Sequence, residues 1–242
     1  MVRRHLKRAG ARRALALAAA AATLVACDRV AELSRGSNPF ASFDTRCEAL
    51  PHTTFNVTAS PIVVKRSDEL SVAELTKLGP PHFAADRTVG LTRGELSSES
   101  NIEVNGVSDP SDGRVCVRPR VQVRLALSPE VYVASEYRDA ACRHAALVEH
   151  EEKHVAVYQH FLSAAAPRLR AELALALGNK VTYASSMADA QSALKGKVTA
   201  VLSSFHVRMQ KEIAEAQGMV DTPEEYARVD RQCGGAGVSG AL

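Results

Sequence analysis

Apolar residues along this chain follow two different periods, and the change falls near residue 138. In the first half they alternate with polar neighbours. Phe55 and Val57 do so, Ile62, Val63 and Val64 follow Pro61, and the clearest run is Val115, Val117, Val121, Val123, Leu125 and Leu127. A period of two marks a half-buried strand. Residues 89–95 and 101–107 are further strand candidates, and 68–78 reads as a short helix stopped by Gly79-Pro80. Residues 108–113 form a turn cluster. Ser128-Pro129 breaks the long alternation before Val131 and Val133 resume it. Pro119 lies inside the alternation and lacks a backbone donor, which predicts an edge strand or a bulge.

The second half is helical. Residues 140–177 carry Leu147, Tyr158, Phe161, Leu162, Ala165, Leu169 and Leu173 at helical spacing, with Pro167 predicted to kink the helix and Gly178-Asn179 to end it. A second helix over 186–217 places Leu194, Val198, Val201, Leu202, Phe205, Met209 and Ile213 on one stripe. Thr222-Pro223-Glu224-Glu225 reads as a capping box with proline at the first helical position, opening a short last helix. The pattern predicts an α+β fold: an N-terminal antiparallel β-sheet packed on a long C-terminal helical hairpin. The domain spans 47–235, mainly β over 47–137 and mainly α over 138–235, and 236–242 is a flexible tail.

The N-terminal residues read as a targeting segment. Arg3, Arg4, Lys7, Arg8, Arg12 and Arg13 form a basic cluster, and the apolar run 14–26 is shorter than the roughly 20 residues that span a bilayer. The run closes on Leu24-Val25-Ala26-Cys27, which resembles a bacterial lipobox. That resemblance implies a signal peptide over 1–27, lipidation at Cys27, a tether over 28–46, and a mature protein anchored to a membrane of the cell envelope, facing the periplasm. An ordinary signal peptide cut near Ala26 is the alternative.

Charge then changes meaning. The chain has 30 Lys and Arg against 27 Asp and Glu; six of the basic residues precede Cys27 and no acidic one does, leaving 24 against 27, or −3. No basic stripe with interleaved aromatics remains, which excludes a nucleic-acid partner. Cys47, Cys116, Cys142 and Cys233 are even in number and widely spaced, the usage of an exported chain with two disulfides. Of three pairings, Cys47–Cys116 with Cys142–Cys233 ties each half of the domain to itself.

The candidate chemistry is His150-Glu151-Glu152-Lys153-His154, a His-Glu-x-x-His sequence within the first long helix. Imidazoles four residues apart share one helix face and can reach one metal ion, while Glu151 can act as general base on the attacking water. The spacing implies one Zn2+ per chain. The charged Glu152 and Lys153 occupy positions that are uncharged in most zincin peptidases.

A catalytic zinc takes three protein ligands. His160 has metzincin spacing, but Val157 stands where the helix-breaking Gly would be, and an unbroken helix turns His160 away from His154. Glu172 lies about 27 Å along such a helix. If the helices fold back near 179–182, the motif faces 206–212, which makes His206 the leading third ligand, with Glu212 the alternative and Glu215 further off. Tyr158, one turn past His154, is a core or cleft residue, and His144 is structural.

Leu75 with Gly79-Pro80, then Gly90 with Thr92, then Cys116 and the metal-motif helix occur in an order that resembles a family of uncharacterised exported bacterial proteins, over about 47–175. The resemblance implies a zincin-like zinc protease and names no substrate. The reading is a zinc-dependent peptidase of the cell envelope acting on a peptide or protein. The alternative is an inactive, metal-stabilised binding or scaffold lipoprotein.

Overall fold

The structure, a computed structural model, describes residues 41–79 and 87–234. The targeting segment with Cys27, most of the tether, Pro80 and the tail over 236–242 lie outside the described residues.

The sheet is built around one long strand. β4 (Val115–Val133) pairs along its whole length with antiparallel β3 (Gly90–Ser108). Its other edge is shared by three short strands in succession. β5 (Thr182–Ala184) pairs antiparallel with Val115–Val117, β1 (Thr54–Ala59) runs parallel beside Arg120–Leu125, and β2 (Lys65–Ser67) runs parallel beside Glu130–Tyr132. The sheet is therefore mixed, where the alternation alone predicted an antiparallel one. β4 is its central strand, not an edge. Pro119 and Pro129 are tolerated because both fall in gaps between those partners, where no neighbouring carbonyl waits for a donor.

Alternation sets the faces. Val121, Val123, Leu125 and Leu127 are buried, while Arg120, Gln122 and Arg124 are exposed. The buried face is covered by α3 (Ala141–Leu177) and α4 (Met187–Gly218), which contribute Tyr158, Leu162, Leu169, Phe205, Met209 and Ile213 to the main core. Each such side chain stabilises the fold by about 1.5–3 kcal/mol. α3 runs unbroken through Pro167. That residue is exposed, so the Ser163 carbonyl left without an N–H partner faces water rather than the core. The helix ends at Gly178, whose φ of 65° suits a residue without a Cβ.

A second, smaller core gathers around the first turns of α3. Leu75 from α2 (Val72–Leu78), Val89, Val133, Ala146, Leu147 and Val229 from α5 (Pro223–Gln232) meet there. α5 opens as its sequence predicts, with Pro223 at the first position and the Thr222 hydroxyl accepting the Glu225 N–H. The Glu225 carboxylate does not complete a capping box; it is used elsewhere.

Two disulfides hold the periphery. Cys47 in α1 (Phe43–Glu48) bonds Cys116 in β4, and Cys142 in the first turn of α3 bonds Cys233 at the end of α5. This is the pairing that ties each half to itself. Residues 43–46, placed by the sequence in the tether, belong to α1.

Candidate metal centre

His150, Glu151 and His154 lie on the buried face of α3, at 1%, 2% and 7% exposure. Four residues along one helix bring the two imidazoles together, with their Nε2 atoms 3.3 Å apart. Asp221 joins them from the short connection between α4 and α5. Its Oδ1 is 3.3 Å from His150 Nε2 and 3.1 Å from His154 Nε2.

These separations test the site for a metal. Ligand atoms about 2.0–2.1 Å from a tetrahedral zinc stand about 3.3–3.4 Å from each other. The three donor atoms are already spaced as three corners of that tetrahedron. Both imidazoles are also held in the ligating tautomer. His150 Nδ1 is 3.3 Å from Glu225 Oε1, and His154 Nδ1 is bonded to Gln217 Oε1. Each Nδ1–H donates outward, leaving each Nε2 lone pair aimed inward. Two lone pairs and a carboxylate oxygen then converge on one point, which repels unless a cation sits there. The residues fit a divalent ion.

A further shell fixes the ligands. Glu225 accepts from Lys153 Nζ at 2.6 Å and from Arg228 at 2.7 and 3.0 Å. The Arg228 guanidinium foremost, against the opposing effect of burial and with help from Lys153 and His150, lowers its carboxyl to about 2. Gln217 returns an Nε2–H to the His154 carbonyl at 3.2 Å. The two charges inside the motif that depart from the zincin pattern have structural partners: Glu152 pairs with Arg66, and Lys153 with Glu225.

Glu151 points to the other wall. Thr92 Oγ1 donates to its Oε2 at 2.7 Å, and Gly90 lies so close that a Cβ there would stand 2.3 Å from Oε1. Burial raises its carboxyl above the ordinary range despite the pull of His154, Thr92 and His150. Glu151, the three ligands, Thr88, Gly90, Leu91, Thr92, Tyr158 and Gln217 enclose a cleft of about 200 Å3. Tyr158 thus serves both the core and the cleft.

Asp221, absent from the sequence-based candidates, takes the place assigned to His206. His206 sits next to Phe205 with a buried, unpartnered Nε2, away from the cluster. Glu212 forms a two-pronged ion pair with Arg168 at 2.7 and 2.8 Å. His160 is exposed beside Phe161, Glu172 pairs with Arg208, and Glu215 pairs with Lys211. His144 is half-buried outside the cluster. The cause is the turn between the long helices. Residues 178–186 carry β5, which reaches out to β4 instead of closing a tight hairpin. The helices are offset, and His154 meets Gln217 rather than 206–212. A carboxylate just before a helix cap, in the connection that follows the second long helix, was the signal available in the sequence.

Comparison with protein-family models, with curated proteins and with solved structures finds no match. The class therefore rests on the site itself. Two imidazoles from His-Glu-x-x-His, a carboxylate from a later connection and a general base in the cleft have the catalytic geometry of a zinc peptidase. The helix that carries them is packed under a sheet of which four of the five strands precede it in the chain, a zincin-like arrangement.

Proposed function

We propose that this protein is a zinc-dependent peptidase of the bacterial cell envelope, acting on peptides or proteins on the periplasmic side of the membrane that its lipidated N-terminus would hold. The observation that carries the reading is the convergence of His150 Nε2, His154 Nε2 and Asp221 Oδ1 at 3.1–3.3 Å, with Glu151 opposite them in one cleft. Zinc is the cation that this N2O donor set favours, bound one per chain. When bound it supplies Lewis acidity, lowering the pKa of a water and polarising the substrate carbonyl.

The chain does the rest. Glu151, with its carboxyl raised by burial, takes a proton from the attacking water and returns it to the leaving amine. Thr92 and Gly90 hold that carboxylate at one height in the cleft. Lys153 and Arg228 keep Glu225 ionised, and Glu225 with Gln217 keeps the two ligands oriented. The outer edge of β3, which among the described residues pairs only with β4, runs past the cleft at Gly90–Thr92 and offers an extended peptide backbone a strand to pair with. β4, with partners on both of its edges, offers no such strand.

Glu151→Gln separates this reading from a metal-stabilised scaffold. A peptidase loses hydrolysis by roughly a hundredfold or more while keeping its zinc. A scaffold shows no zinc-dependent hydrolysis in the wild type and keeps its cellular role in the variant.

A further inference from the structure

Beyond Tyr158 a second hollow of about 310 Å3 adjoins the cleft. Tyr158 and Gln217 line both spaces, so the two lie on either side of these side chains. The hollow lies between β3 and α4. Its floor is Leu96, Leu127, Tyr158 and Ile213, each less than a tenth exposed, and its rim is Gln210 and Ala214. Among the described residues, no charged side chain lines it. Gly94 belongs to its wall for a steric reason: a Cβ there would come within 2.7 Å of the Tyr158 ring, so the strand can lie against the phenol only because it is bare.

We infer that this hollow receives a large apolar side chain of the substrate, and that it restricts the enzyme to peptides carrying such a residue close to the bond that is cut. The inference rests on the peptidase reading and adds the class of substrate to it. Continuity argues for the occupant. The edge of β3 away from β4, unpaired among the described residues, passes the base at Gly90–Thr92 and reaches the hollow at Gly94–Leu96. At about 3.4 Å per residue, a peptide paired to that edge has advanced about 14 Å, or about four residues, between the middles of the two places. Its side chains alternate between faces, so one of them is directed over the apolar floor. A charged side chain there would be desolvated against leucine and isoleucine, with no charged residue among those that line the hollow. An aliphatic or aromatic one would cover a surface that water otherwise wets.

The test uses the zinc-loaded protein and a set of peptides that differ at one position at a time within four residues of the cut. The expected result is a preference of at least tenfold in kcat/KM for Leu, Ile, Met or Phe over Asp or Lys, confined to one position; hydrophobic pockets discriminate by about 10–200-fold. Ala214→Trp, on an exposed helix position, fills the hollow and removes at least tenfold from the large apolar peptides, while peptides with Gly or Ala at that position change less than twofold. Gln210→Arg shifts the preference towards Asp and Glu at the same position. Binding of the same peptides to Glu151→Gln, read by fluorescence anisotropy, follows the same order. Cleavage without a positional preference, or a preference that neither rim variant alters, overturns this assignment and leaves the peptidase standing. Zinc-loaded protein that cuts none of the peptides overturns the peptidase reading and the hollow's role with it.

Discussion

The Thr92 hydroxyl donates to Glu151 Oε2 at 2.7 Å, so a residue of strand β3 fixes the angle of a base carried by helix α3. Thr92→Val keeps the shape and removes the donor. It is expected to lower kcat by about tenfold or more, since small misplacements at a reacting centre are costly, with KM and zinc content unchanged. Thr92→Ser restores the hydroxyl and is expected to remain within about threefold of wild type. Steady-state kinetics with metal analysis check both.

Glu225 acts at a distance from the reaction. It receives Lys153 and Arg228 on one side and orients His150 on the other. Glu225→Gln is expected to weaken zinc binding by about 10–100-fold, the usual cost of losing such an orienting carboxylate. Competition with a chromophoric chelator measures it, and circular dichroism confirms that the fold persists.

The Cys142–Cys233 bond closes the helix α5 onto the first turn of α3. Replacing both cysteines with serine is expected to lower stability by about 2–4 kcal/mol in denaturant titration. The same variant is expected to bind zinc less tightly, because the bond tethers the helix next to Asp221. Replacing the Cys47–Cys116 pair is expected to lower stability without that loss of affinity.

His206 supplies a pH-dependent term. Burial lowers its pKa below the ordinary 6.5. The unfolded chain therefore binds its proton first as pH falls, so this stabilising contribution is complete above about 6.5 and is lost as pH drops through the folded value. His206→Leu is expected to narrow the difference in stability between pH 7.5 and pH 5, and to leave zinc content unchanged. Thermal unfolding across pH, beside metal analysis, reads both effects.

The parts of this protein that local pattern dictates were legible in the chain. The spacing of His150 and His154 puts both on one helix face whatever surrounds them. The alternation from Val115 to Leu127 gives a strand with one buried face, and the stripe from Leu194 to Ile213 gives the packing face of α4. What depended on how elements meet was not legible. Pro119 marks an edge only when no gap in the neighbouring strands can take it, and that gap exists because β5 and β1 stop short of each other. The third ligand depended on the length of chain spent between α3 and α4. A few residues used to place β5 against β4 moved the facing level from His206 to Gln217 and Asp221.

The central claim is that Asp221 completes a zinc site with His150 and His154. Zinc content by mass spectrometry of metal-loaded protein, compared among wild type, Asp221→Ala and His206→Ala, tests it most directly. The account predicts one zinc per chain in wild type and in His206→Ala, and a loss of at least tenfold in affinity in Asp221→Ala. A wild type that holds no zinc, or an Asp221→Ala protein that holds it as tightly as wild type, would contradict it.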